Sequence, residues 1–331
     1  ASFTIEGLTP NTSYEVKVKV RRKDSQLTSE SNVVTVRTYD YGRISTAPVT
    51  TIGNQATIYY TNPSGAAAEI CICKGDATVA SNIIAAFRSV TSSPYVYTPT
   101  QAEIDAMYAL VPNTTIGKWF YCIKTTQNGI SYYNYLQKQF TVSSAENTPS
   151  APTNLSYADT NSTVLALTDN PSNILLGFSD VKVSIGTAST AKNKAYIKTY
   201  SITDGTTTKT INGTGSAPYF ETIEKTSRAS IDVFVFDSRG LSAKSSVALT
   251  ALDYQSPKIN TSTNLKRVGG VSTSVAFIFS GYIWNKSFGK VSNSIKYLRY
   301  KMLPTASSDW DSVDWINIDS SKYTIASDGT I

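Results

Sequence analysis

A chain of 331 residues is too long for one β-sandwich of roughly 100 residues and long enough for about three. Hydrophobic residues make up 40% and charged residues only 16%, so neutral Thr, Ser and Asn must cover much of the surface. A net charge of +6 spread over several domains is far from a nucleic-acid footprint, and the lack of any histidine excludes serine-triad and histidine-metal chemistry.

From Tyr14 to Val20 the chain alternates, with Tyr14, Val16, Val18 and Val20 on one face and Glu15, Lys17 and Lys19 on the other. This predicts a half-buried antiparallel strand, with a second alternating run from Asn32 to Thr38. The basic cluster Lys17, Lys19, Arg21, Arg22 and Lys23 reads as a solvated sheet face. Leu8-Thr-Pro10-Asn11-Thr12-Ser13-Tyr14 resembles the tyrosine corner of fibronectin type III domains, in which the tyrosine hydroxyl bonds back to the chain upstream. Residues 1–39 are therefore expected to be the C-terminal part of such a module, with its earlier strands before Ala1.

Residues 40–148 are expected to form a fibronectin-like β-sandwich with strands at Ala56–Tyr60, Glu69–Lys74, Trp119–Thr125 and Leu136–Val142. Leu110-Val-Pro112-Asn113-Thr114 echoes the earlier Leu8-Thr-Pro10-Asn11-Thr12, although Ile116 stands where the tyrosine would align. One helix is predicted over Thr100–Leu110, as a crossover between sheets, from Ile104, Met107 and Leu110 at helical spacing behind a Thr100/Glu103 capping box. Cys71 and Cys73 project from the same face of a strand, and Cys122 stands alone in another apolar run. An odd count of three argues for reduced thiols, buried as small apolar groups.

Asn147-Thr-Pro-Ser-Ala-Pro152 reads as an extended linker. An immunoglobulin-like β-sandwich is expected at 149–255, with strands at Ser230–Phe236 and Ser245–Leu252 flanking the polar turn Asp237-Ser-Arg239-Gly240-Leu241. After Gln255-Ser-Pro257 an incomplete immunoglobulin-like module is expected at 256–331, with strands at Ser274–Ile283 and Ser294–Met302. The fold class is thus all-β: tandem immunoglobulin-like or fibronectin type III-like sandwiches with one short helix near 100–110.

The order Val233-Phe-Val-Phe-Asp237-Ser-Arg239-Gly240, Tyr254-Gln-Ser-Pro257, Arg267, Asn293, Tyr297-Leu-Arg-Tyr300-Lys and Trp310 resembles a siphophage minor structural protein family. The resemblance covers roughly 154–331 and implies a structural and adhesive virion component, of the tail or tail tip, serving as scaffold or spacer and in host attachment. It implies other virion proteins, copies of the same chain and a host cell-surface glycan as partners; the modest charge predicts no nucleic acid, and the longest apolar stretch, Val275–Trp284, broken by Ser280 and Gly281, predicts no membrane insertion. The alternative is a non-catalytic binding region of a secreted bacterial carbohydrate-active enzyme or surface adhesin, located outside the cell or on its surface.

No acid sits in a distinctive catalytic frame, so no catalytic residue and no cofactor are expected, and the chain reads as a non-enzyme. Asp309, Asp311 and Asp314 lack the central glycine and terminal glutamate of a calcium loop and read as a turn. The chemical surplus is aromatic. Of 21 tyrosines, Tyr132, Tyr133 and Tyr135 are the candidate surface or interface residues, because adjacent strand residues point to opposite faces and exposed tyrosine stacks on sugars or anchors subunits.

Overall fold

The computed structural model describes residues 2–9, 11–24, 27–260, 264–267, 275–304 and 306–331. Pro10 of the tyrosine-corner motif, the side chain of Arg267 and Ser274 lie outside the described residues. The chain is all-β and divides into two compact units. Unit 1 comprises Ala1–Pro149 with two returning loops, Thr190–Ile197 and Asp237–Leu241, and unit 2 comprises the remainder. Among the described residues no helix is long and apolar enough to cross a membrane.

Unit 1 begins with β1 (Ser13–Val16), β2 (Lys19–Arg21), β3 (Thr28–Glu30) and β4 (Val34–Arg37), forming two antiparallel ribbons, β1 with β4 and β2 with β3. The Thr9 N–H donates to the Tyr14 hydroxyl at 2.8 Å, which is the upstream bond expected of a tyrosine corner. The basic face is solvated, with Lys17 and Lys19 both paired to Glu30. The expected half-burial of the opposite face is corrected: Tyr14 and Val16 are half-buried, but Val18, Val20, Val34 and Val36 are exposed. The alternation is real, but each ribbon has only two strands and no second sheet covers its apolar side among the described residues.

Next come β5 (Arg43–Thr46), β6 (Thr50–Thr51), β7 (Ala56–Thr61), β8 (Ala67–Cys73), β9 (Ile83–Val90), β10 (Tyr95–Tyr97), α1 (Gln101–Ala109), β11 (Ile116–Gln127) and β12 (Ile130–Thr141). They form a sandwich of a three-stranded sheet, β10-β7-β5, and a five-stranded sheet, β6-β12-β11-β8-β9. Ile58, Ile70, Ile72, Tyr121, Ile123 and Phe140 fill the space between the sheets, each at most 2% exposed. The helix connects one sheet to the other, as expected; of its predicted apolar face Met107 is buried and Ile104 packs on the core, but Leu110 is exposed and Tyr108 is buried instead. Thr100 accepts from the Glu103 N–H, Glu103 accepts from the Thr100 N–H at 2.8 Å, and Arg88 pairs with the same carboxylate at 2.5 Å. Asn128 and Gly129, at φ 50° and 78°, make the tight turn that joins β11 to β12 and so set their register.

The expected extended linker after β12 is corrected at its start. Ser143 caps a helical turn, α2 (Ser144–Asn147), and Asn147 is fully buried, donating to the Tyr108 hydroxyl at 3.2 Å and to the Ser143 carbonyl at 2.9 Å. A side-chain amide that closes its own turn and reaches the helix above it overrides the extended preference of the prolines that follow.

Unit 2 contains β13 (Thr153–Asp159), α3 (Ser162–Thr168), β14 (Asn173–Leu175), β15 (Val181–Thr187), β16 (Ile197–Thr203), β17 (Thr208–Asn212), β18 (Tyr219–Ile223), β19 (Ser230–Asp237), β20 (Ser242–Ala248) and β21 (Thr250–Leu252). Two sheets, β13-β15-β18 and β17-β16-β19-β20, carry alternately buried residues such as Val181, Val183 and Ile185 on one and Ile231, Val233 and Val235 on the other. α3 is started by Asn161, whose side chain accepts from the N–H groups of Thr163 and Val164.

Beyond it lie β22 (Lys258–Ile259), β23 (Asn264–Arg267), β24 (Val275–Ile278), β25 (Gly281–Tyr282), β26 (Arg299–Tyr300) and β27 (Ile316–Asn317), in two-stranded pairings. The long strands expected at Ser274–Ile283 and Ser294–Met302 are thereby corrected to short pieces. The apolar run breaks where Ser280 and Gly281 fall, and Trp284 and Phe288 turn inward. There they pack with Val164 and Leu175, and the Trp284 indole donates to Asp253 at 2.9 Å.

Candidate binding surfaces

The three candidate tyrosines lie on β12 but do not share a face. Tyr132 sits at the rim of the inner face and stacks on Tyr41, with ring centroids 5.3 Å apart. Tyr133 and Tyr135 project from the outer face, register partners of Lys124 and Cys122 on β11. Tyr133 meets the edge of Phe87 and is half-buried, whereas Tyr132 and Tyr135 are exposed at 39% and 37%. Lys124 and Glu69 close an ion pair at 2.9 Å on the same outer face.

Tyr135 is engaged in more than surface display. Its hydroxyl accepts from the Ala77 N–H at 3.1 Å and donates to Asp76 at 3.3 Å, so it fastens the loop after β8 down onto the sheet. Desolvation pushes the phenol up to about 12. Asp76 is held below the usual carboxylate range by the Thr78 N–H and then the Thr78 hydroxyl. Beneath the loop, Cys71, Cys73 and Cys122 form one buried cluster with Ala77, and all three thiols are free. Contacts with the Cys122 and Cys73 thiols, together with burial, push the Cys71 thiol up. Cys122 directly opposes Cys71 in the strand register, a meeting that sequence spacing does not reveal.

A second cluster in unit 1 was also invisible in sequence. Arg239, in the turn after β19, is 8% exposed and sends its guanidinium into backbone carbonyls: Val111 at 2.8 Å, Lys192 at 3.2 Å and Asn193. It also reaches the Asn147 side-chain oxygen at 3.4 Å and lies over the Tyr108 ring, 5.4 Å from its centroid. Ser238 donates to the Pro112 carbonyl, and Asn193 donates to Asn147 at 2.8 Å. Burial lowers the Arg239 pKa, opposed by the charge of Asp237. Asp237 shapes the turn by accepting from the N–H groups of Arg239 at 3.0 Å and Leu241 at 2.8 Å, and Gly240 takes φ 84°. The Leu110-Val-Pro112 echo thus does different work from its first occurrence, since its carbonyls receive this turn.

In unit 2 an open groove of about 620 Å³ is lined by Phe277, Arg299, Tyr300, Lys301, Trp310 and Trp315, among others. Trp310 and Trp315 are 54% and 57% exposed. Lys301 lies over the Trp315 ring, 5.1 Å from its centroid, and donates to the Trp310 carbonyl at 2.8 Å. Asp309 accepts from the N–H groups of Asp311 and Ser312, as a turn-capping carboxylate does. Among the described residues no group of three or more His, Cys, Asp or Glu is arranged to hold a metal ion.

No protein-family model matches the chain, and no curated protein matches it either. Among solved structures it is similar to the fibronectin(III)-like modules of Clostridium thermocellum CbhA, with 17% identity over 63% of this chain and 94% of that one, at a TM-score of 0.21. It is also similar to the FN1-FN3 domains of chicken CNTN1, with 13% identity over 73% of this chain and 77% of that one, at a TM-score of 0.22. At such superpositions the fold assignment rests on the strand pairing described above. The phage family resemblance of 154–331 gains no support from these comparisons.

Proposed function

We propose that the chain is a non-catalytic run of sandwich modules serving as scaffold or spacer and as a binding surface. The observation that carries this reading is the Arg239 cluster. Two loops distant in sequence are tied into unit 1 by a buried guanidinium whose partners are mostly main-chain carbonyls. A charge placed this way serves geometry, because it fixes backbone to backbone and presents no free group to a substrate. Limited trypsin digestion tests the idea. Slow cleavage after Lys192 and Lys194 in the native chain and fast cleavage in Arg239→Ser are expected. Equal rates would sink it.

The finer form of the proposal is a siphophage tail or tail-tip component that meets other virion proteins, copies of itself and a host glycan. Its support is the sequence resemblance over 154–331. Immunogold labelling of intact particles with an antibody against this chain tests it. Label on the tail is expected, and particles free of label would defeat it.

The aromatic groove of unit 2 favours a second reading, a glycan-binding region of a secreted enzyme or surface adhesin. Exposed indole faces beside charged donors match the alternating apolar and hydroxyl faces of a sugar ring. Binding to a soluble oligosaccharide panel that disappears in Trp310→Ala and Trp315→Ala would support it. No binding by the native chain would remove it.

A further inference from the structure

The outer face of the five-stranded sheet carries a group of reactive side chains that neither reading uses. Cys71 on β8 and Cys122 on β11 are register partners, and Cys73 follows on the same face of β8. All three are at most 1% exposed. Ile83, Phe87, Phe120 and Tyr133 pack around them, and the loop fastened by Tyr135 through Ala77 and Asp76 forms the roof. The site is therefore three thiols in one dry compartment beneath a hydrogen-bonded cover.

We propose that Cys71 and Cys122 are a modification site, forming a cross-strand disulfide by exchange with a low-molecular-weight disulfide such as oxidised glutathione. Geometry selects this pair over the other two. Residues directly opposed in an antiparallel pair have Cα atoms about 4.5–5.5 Å apart, inside the roughly 4.4–6.8 Å that a disulfide spans. Diagonal neighbours in a regular sheet, the relation of Cys73 to Cys122, have Cα atoms about 7–8 Å apart, beyond that span, even though these two thiols touch. Cys71 and Cys73, two residues apart on one strand, stand about 6.6 Å apart with side chains pointing the same way, at the edge of the span.

The exchange balances. One cysteine thiolate attacks the small disulfide and expels a thiolate; the second cysteine thiolate then displaces the other. Two protein thiols lose two protons and two electrons, and the oxidant leaves as two thiols. The new bond joins two neighbouring inner strands of the sheet, β11 and β8, and closes the chain between them. Because the sulfurs are buried, the reagent meets them while the cover is lifted or the chain is folding.

The test therefore supplies the oxidant during folding. The full chain is unfolded in urea, refolded in a reduced/oxidised glutathione buffer, and mapped under non-reducing conditions by mass spectrometry, with the recovered sheet checked by circular dichroism. The expected product is lighter by about 2 Da, retains one titratable thiol, and yields a Cys71–Cys122 linked peptide pair that dithiothreitol separates. Cys73→Ser is expected to keep the link, and Cys122→Ser to lose it. Three titratable thiols in the refolded native chain, or a dominant link containing Cys73, would overturn the proposal. The Cys73→Ser map decides the matter even if Cys122→Ser does not fold.

Discussion

Arg239 and Asp204 show how single buried charges are held in place. Removing the Arg239 guanidinium by Arg239→Met leaves the carbonyls of Val111, Lys192 and Asn193 without their donor in a closed space. Unsatisfied buried acceptors cost about 1–3 kcal/mol each before relaxation, so a loss of about 3 kcal/mol is expected in the urea unfolding of unit 1. Arg239→Lys should recover less than half, because an ammonium cannot fork between carbonyls on different segments. Asp204, 3% exposed, is a pH-dependent counterpart. Burial works against its charge, yet the N–H groups of Ser227, Thr207 and Thr206 outweigh it and hold the carboxyl down from 3.8 to about 2. A folded pKa below the unfolded one contributes stability above about pH 4 that is lost as pH falls toward about 2, here about 2 kcal/mol. Asp204→Asn should therefore weaken unit 2 at pH 7 and flatten its stability between about pH 5 and about 2. An unchanged acid limb in denaturation curves would count against the assignment.

The elements form where local signals and burial agree, and fail to consolidate where burial is missing. α1 is short, with Met107 and Tyr108 as its buried residues, so its start matters more than its length. Thr100→Ala removes one half of the capping box and should lower stability by about 1 kcal/mol, read as a fall in the thermal midpoint of unit 1. Gly117 is tied to its strand by a neighbour: an added Cβ would come within 2.5 Å of the Trp119 ring. The β1–β4 and β2–β3 ribbons make the opposite case. Their alternation is as regular as that of β19, but Val18 and Val20 are exposed because nothing covers them among the described residues, whereas Val233 and Val235 are wholly buried between sheets.

At the scale of the whole molecule, two compact units predict two separable unfolding events. Calorimetry should show Arg239→Met lowering one transition and Asp204→Asn the other. The two side chains share no hydrogen-bond partner, so the double variant should show both losses, additive within about 0.5 kcal/mol. One merged transition that responds equally to both substitutions would contradict this division.

The all-β class, the capped helix and the tyrosine corner were legible in the sequence, because each is written in neighbours a few residues apart: alternation, Thr100 with Glu103, Leu8 with Tyr14. Local spacing also placed Tyr132, Tyr133 and Tyr135 on a strand, though not which of them holds down a loop. What only the tertiary structure decided is which distant segments meet. Cys122 stands alone in the sequence and opposite Cys71 in the sheet, because Tyr121 and Ile123 of β11 pack into the same core as Ile72 and Ile70, their partners on β8, and so fix the register of the two strands. Arg239 looks like a polar turn residue until its neighbours prove to be the carbonyls of Val111, Lys192 and Asn193. Main-chain acceptors carry no residue-specific signature, so a side chain that reads them leaves no pattern in sequence, and only the folded path of the chain brings them within reach.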